Sequence, residues 1–199
     1  MMRRHERYGL WSYSFELTYM VKLFEWGITL TLKVKNIDSN PFTFTGCFHT
    51  YFKFTDTSKV KLHGFHKNTF LDKVDNKKQK TQHEILSIQT EAEQSAKEAG
   101  LSHGFVDYIY LNSPNEFEFK QDETTLYKIK QSESWTDATI YNPWLGDKQG
   151  SSFPDFDDDG YKYTICCEPT LSKGSEVTLG CGEVWEGFQE ILVPWNFVF

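Results

Sequence analysis

The 199-residue chain carries 28 Asp and Glu against 21 Lys and Arg, a formal net charge of -7, and 17% of its residues are aromatic. That length suits one domain, or at most one and a half, and the aromatic content excludes a generally disordered chain. The acidic balance argues against bulk binding to nucleic acid phosphates or anionic membranes, and no apolar run approaches the roughly 18 residues of a membrane-spanning helix.

In chain order the dominant signal is alternation of period two, the mark of half-buried strands. Residues 14–20 (SFELTYM) put Phe15, Leu17 and Tyr19 on one face. Residues 28–37 (ITLTLKVKNI) alternate strictly, with Ile28, Leu30, Leu32 and Val34 opposed to Thr29, Thr31, Lys33 and Lys35. The turn at Asp38–Pro41 leads into one strand over Phe42–Phe48. Val60–Leu62 reads as a short strand closed by His63-Gly64, Phe70-Leu71 is apolar, and Asp72–Lys80 reads as a polar, lysine-rich loop. Glu84–Gln89 reads as a strand, and Thr90–Ala99 holds helix formers without a cap, so helix and loop both remain open there. Further strands are expected over Phe105–Leu111, Glu116–Lys120, Thr125–Lys130, Thr136–Tyr141, Tyr161–Cys167, Ser175–Leu179 and Val184–Val193. Many short strands between Gly, Pro, Asn and Asp turns predict an antiparallel all-β sandwich or barrel. The acidic run Asp155–Asp159 reads as a solvated turn, with a calcium loop as the alternative; it lacks the EF-hand spacing and closing Glu.

Cys47, Cys166, Cys167 and Cys181 form no C-x-x-C pair, which argues against a zinc ribbon. They read as reduced, mostly buried thiols, with a catalytic cysteine as the lesser alternative, and Cys166 and Cys167 should point to opposite faces of a strand. No recognisable signal peptide opens the chain. Phosphate-cradling glycine motifs, the H-E-x-x-H zinc motif and the G-x-S-x-G serine elbow are absent. All three arginines, Arg3, Arg4 and Arg7, lie in the first seven residues, so bidentate phosphate or carboxylate recognition is confined to that tip.

Polar residues set among aromatic strand ends remain as candidates for chemistry. His49, in Cys47–Phe52 (CFHTYF), is expected to be shielded by Phe48, Tyr51 and Phe52, and imidazole exchanges protons near neutral pH. Its alternative is a structural histidine. Glu168 follows the apolar Ile165-Cys166-Cys167 and precedes Pro169, which is expected to stop the strand. A carboxylate against apolar walls gains a raised pKa and serves as a base; otherwise it is a solvated strand end. Asp107 shares a face with Phe105 and Ile109, so burial would demand a partner, structural or ligand. Asn142-Pro143-Trp144 fits either a packed turn or the aromatic wall of a saccharide cleft. His63, His66, His83 and His103 read as surface residues.

Taken in order, His-Thr-Tyr-Phe at 49–52, Val-Asp-x-x-Tyr at 106–110, Asn-Pro-Trp at 142–144 and Asp-Phe-Asp-Asp-Asp-Gly-Tyr leading to Cys-Cys-Glu-Pro at 166–169 resemble the hexose-6-phosphate mutarotases, or glucose-6-phosphate 1-epimerases, of the aldose 1-epimerase superfamily. The resemblance runs from about Phe15 to Val193. It implies a galactose mutarotase-like β-supersandwich over residues 14–199 behind an extension at 1–13, incomplete at its N-terminal end, and anomer interconversion without cofactor or metal. It assigns Glu168 as general base toward the O1 hydroxyl, His49 as general acid toward the ring oxygen, and Asp107 to sugar hydroxyls, with acid and base on different sides of the sugar. The implied partner is a hexose or hexose phosphate bound by a cytoplasmic monomer. Three departures stand out. Tyr108 replaces the family's usual arginine, Tyr141 replaces the first Trp of Trp-Asn-Pro-Trp, and roughly a hundred family residues ahead of the first strand, with their phosphate-gripping arginines, have no counterpart. A non-catalytic carbohydrate-binding sandwich and a structural fragment with exposed edges are the competing readings.

Overall fold

The computed structural model describes residues 11–99, 106–142, 157 and 159–194. In chain order these form β1 (Phe15–Phe24), β2 (Gly27–Asn36), β3 (Phe42–Phe44), β4 (Gly46–Cys47), β5 (Tyr51–Lys53), β6 (Val60–His63), β7 (Thr69–Asp72), β8 (Lys78–Thr81) and β9 (Leu86–Ser87). Helix α1 (Ile88–Ala99) comes next, then β10 (Val106–Leu111), β11 (Glu116–Gln121), β12 (Thr124–Gln131), β13 (Asp137–Asn142), β14 (Thr164–Leu171), β15 (Val177–Leu179) and β16 (Val184–Leu192). One sheet has the order β1-β2-β16-β12-β11-β6-β9. A second runs β4-β14-β13-β10-β7-β8, with β5 also on β14, and β15 pairs with β3. Every pairing is antiparallel, as expected for an all-β chain with short turns.

The alternation seen in the sequence is what builds the core. Val106, Tyr108, Tyr110, Ile140, Ile165 and Cys167 line the inner face of the second sheet, and Leu62, Phe117, Phe119, Ile129 and Ile191 meet them from the first. A second apolar cluster gathers Val34, Phe42, Phe48, Trp135, Leu171 and Trp185. Close-packed aromatic and branched side chains of this kind supply most of the folding free energy.

Several expectations are corrected. Phe42–Phe48 is two strands rather than one, broken at Thr45. The lysine-rich loop contains β8, which folds back on β7 because Lys80 pairs at 2.9 Å with the buried Asp72. Only Leu86–Ser87 of the strand expected at 84–89 is extended; α1 begins at Ile88, whose side chain is buried in the core. Residues 160–162 form a 3-10 turn instead of the start of β14. Pro169 does not stop β14, which continues to Leu171. The Pro169 carbonyl accepts from the Phe48 amide at 3.2 Å, so its nitrogen faces the same neighbour. The missing N–H therefore falls in the break between β4 and β5, where no ladder bond is lost. Cys47 and Cys181 are exposed, contrary to the expectation of mostly buried thiols. Arg3, Arg4, Arg7, His103, Phe105, Pro143, Trp144 and all of the acidic run except Asp157 and Asp159 lie outside the described residues.

Candidate active site

The site is a consequence of register. Thr170 pairs with Cys47 and Cys166 with Tyr51, four residues apart on each strand, so the same register runs through the break and sets His49 opposite Glu168. On the other side of β14, Thr139 lies opposite Glu168 and Tyr141 opposite Cys166. One strand further, Asp107 lies opposite Tyr141. Because successive side chains alternate, His49, Glu168, Tyr141 and Asp107 all rise from the outer face of the second sheet, while Cys167, Ile140 and Tyr108 point into the core. Residues 119 positions apart in sequence thus become neighbours.

His49 Nδ1 lies 3.0 Å from Glu168 Oε1; the His49 side chain is 50% exposed and that of Glu168 only 7%. The expected shielding of His49 is therefore one-sided. Tyr51 stacks on its ring at 4.9 Å and Tyr141 approaches edge-on at 6.4 Å, leaving the rest of the imidazole open. Burial, reinforced by the negative charge of Asp107, raises the Glu168 pKa to about 7; the Cys47 thiol and Lys73 pull weakly the other way. Asp107 is bound by the Lys73 ammonium at 2.6 and 2.9 Å, which answers the demand for a partner. Its carboxyl is raised by burial, with Lys73 opposing. Burial, with help from Asp107, pushes the Tyr141 phenol up to about 12, so it remains a donor at neutral pH.

A buried strut holds the pair in place. Gln189, on β16 of the opposite sheet, accepts from the Thr50 hydroxyl at 2.6 Å and donates to the Cys167 carbonyl at 3.0 Å. Thr50 and Cys167 are the chain neighbours of His49 and Glu168, so both backbones are tied to one side chain across the core. Asn142 plays a similar part at the entry to β14, donating to the carbonyls of Tyr161 and Thr164 at 2.9 and 2.8 Å. Three donor atoms of His49, Cys166 and Glu168 lie within 4.8 Å of one another, close enough for a divalent ion to bridge.

The strand register thus brings His49, Glu168 and Asp107 to one face of the second sheet. Lys73 and Gln189 were missed. Lys73 lay in a segment that reads as an exposed loop, and Gln189 sits in an alternating strand where a polar residue on the apolar phase is its only signal. Tyr108 points into the core and donates its hydroxyl to Glu91 at 3.1 Å, so the arginine-to-tyrosine departure does not strip a group from the outer face.

The family model for aldose 1-epimerase matches residues 1–192. The chain belongs to that family. A curated relative from Cenchrus ciliaris, provisionally named a glucose-6-phosphate 1-epimerase, is 31% identical over 182 residues, which are 89% of this chain and 50% of the relative. Among solved structures, a galactose mutarotase-like protein from Clostridium acetobutylicum aligns with a TM-score of 0.61 at 15% identity, covering 98% of this chain and 60% of that one. Another from Lactobacillus casei aligns with a TM-score of 0.64 at 13% identity, covering 92% and 64%. These likenesses establish a galactose mutarotase-like fold, of which the present chain spans about half the length of its curated relative. Among the described residues no helix is long and apolar enough to cross a membrane.

Proposed function

We propose that this chain interconverts the α and β anomers of a hexose, with hexose 6-phosphates as the substrate class, by acid–base opening and closing of the sugar ring. The observation that carries this reading is the 3.0 Å contact between a half-exposed imidazole and a buried carboxylate on an aromatic-lined face. The two oxygens that exchange protons in this reaction, O1 and the ring oxygen, sit on the same carbon. An acid and a base side by side can serve both, provided the sugar lies over the pair. This differs from the expectation of groups on opposite sides of the sugar.

In the reacting state Glu168 is ionised and His49 protonated. The carboxylate takes the proton from the O1 hydroxyl as the imidazolium gives one to the ring oxygen. The C1–ring oxygen bond breaks and an aldehyde forms, leaving Glu168 protonated and His49 neutral. Rotation about C1–C2 presents the other face of the carbonyl, and closure returns both protons. The raised pKa of Glu168 suits a group that must accept a proton and return it near neutral pH. Asp107 lies two strand spacings across and two residues along from Glu168, roughly 12 Å, and can accept from sugar hydroxyls, with the Lys73 ammonium favouring its ionised form. Tyr51 and Tyr141 offer ring faces and a phenol to the sugar. The hexose 6-phosphate assignment rests on the sequence resemblance and on the name of the Cenchrus relative.

Anomer exchange of glucose 6-phosphate followed by magnetisation-transfer NMR tests the proposal. His49→Ala and Glu168→Ala should each lower the rate by about 10²–10⁴-fold, the usual worth of a positioned acid or base. Wild-type exchange no faster than buffer would remove the enzymatic reading. Sugar binding that survives both substitutions, again without exchange, would favour a non-catalytic carbohydrate-binding sandwich, a reading kept in view by the chain's half-length match to its relatives.

A further inference from the structure

β1 has the wrong surroundings for its sequence. Its odd residues Leu17, Tyr19, Val21 and Leu23 lie opposite Val34, Leu32, Leu30 and Ile28 of β2, the residues through which β2 joins the apolar core. They therefore belong to the inner face of the first sheet, yet they are 50, 53, 55 and 79% exposed. The outer face carries the polar Glu16, Thr18 and Lys22, with Met20 at 46% exposure the apolar residue between them. Among the described residues β1 is also the edge of its sheet, paired over ten residues with β2 alone and in unbroken register, with no proline or bulge to blunt it. Its outward N–H and C=O groups form a template for another strand.

A cavity of about 950 Å³ continues from the end of this strand, lined by Leu23, Phe24, Trp26, Ile28, Phe54 and Tyr127 among others. It opens on the same inner layer. An uncovered inner face, an open edge and an adjoining apolar cavity describe one missing layer of a sandwich. The chain spans 50% of its Cenchrus relative and 60% of the Clostridium structure, so each of those proteins holds further polypeptide with no counterpart in these residues.

We propose that the β1 edge and this cavity form a docking surface for polypeptide from the half of the aldose 1-epimerase domain that these 199 residues do not span. The occupant adds a strand along β1, with apolar side chains at alternate positions on the inner side, and fills the cavity with bulky apolar groups. A second copy of this chain fits less well. Antiparallel two-fold pairing of β1 with itself places both apolar faces on the same side of the joined sheet, and neither copy brings a layer to cover them.

Co-expression with the unmatched half of the Cenchrus relative tests this without reference to catalysis. A 1:1 complex by size exclusion with light scattering is expected, with hydrogen exchange of the β1 amides slowed at least tenfold. Leu17→Lys with Val21→Lys, both on the exposed inner face, should abolish the complex. Thr18→Lys on the outer face should preserve it, and circular dichroism checks that each variant is folded. Recovery of the chain alone, or as a homodimer with β1 protected, overturns the proposal. So does a complex that survives the paired lysines.

Discussion

Replacing Glu168 by Gln should stabilise the protein while disabling it. The folded state raises this carboxyl from the usual 4.5 to about 7, and with the side chain only 7% exposed solvent relieves little of that cost. Below 4.5 the group is protonated whether the chain is folded or not, and it contributes nothing. Between 4.5 and about 7 the folded chain holds a proton the unfolded chain has lost, so stability falls as pH rises. Above about 7 the full penalty is present, roughly 3 kcal/mol at ~1.4 kcal/mol per unit. Gln keeps the shape, still accepts from His49 Nδ1 and carries no charge. The variant should therefore match the wild type at pH 4.5 and exceed it by up to about 3 kcal/mol at pH 8. For a chain of this size that is an increase in Tm of about 6–12 °C. Urea unfolding followed by tryptophan fluorescence at the two pH values measures it. The difference between variant and wild type cancels titrating groups distant from Glu168, but not Asp107, whose negative charge helps to raise the Glu168 carboxyl and so forms part of the effect measured. A gap that stays constant with pH would show that Glu168 ionises as an ordinary carboxyl, and the account of burial would fail.

The same carboxyl predicts that wild-type anomer exchange rises with pH through about 7 as the base ionises, a limb visible in NMR exchange rates and absent if Glu168 titrates near 4.5. Lys73→Met should move the Asp107 carboxyl further upward, since its ammonium opposes the effect of burial; 13C NMR titration of the carboxyl checks this. Gln189→Leu leaves the Cys167 carbonyl and the Thr50 hydroxyl without their partner and should cost about 1–3 kcal/mol in urea unfolding. Gly187→Ala should cost about 1–3 kcal/mol as well, because an added Cβ would meet the Trp135 and Trp185 indoles at 2.6 Å; a blue-shifted or broadened tryptophan emission would accompany the loss of Tm.

Much of the fold was legible because half-buried strands announce themselves by alternation, as β2, β10, β12 and β16 did. The segments that misled are those where a tertiary partner overrode local pattern. β8 is polar throughout, and its Lys80 is drawn against β7 by the buried Asp72 at 2.9 Å with Asp75 at 3.2 Å. Ile88 continues an apolar alternation yet opens a helix, because a run of helix formers comes directly after it. Pro169 breaks a strand on local grounds and is tolerated because β14's neighbour is itself interrupted there.

The site divides along the same line. Residue types within each motif were visible, but the contact between His49 and Glu168 is a property of the β14 register, which no local pattern encodes across 119 residues. Tyr108, which stands where the family resemblance expects an arginine, is the chain neighbour of Asp107, yet strand geometry sends the two to opposite faces. The functional consequence is specific. Among the described residues the cation in contact with the site is Lys73, already committed to Asp107 at 2.6 Å, and a phosphate drawn to that ammonium would have to compete with a carboxylate for it. Phosphate recognition by the described residues alone is therefore weak, and the preference for hexose 6-phosphates proposed above requires a cation beyond Lys73. A preference of tenfold or more for the phosphate, measured as kcat/KM by NMR exchange on glucose and glucose 6-phosphate, is the expected result, and equal values for the two sugars would refute the 6-phosphate assignment.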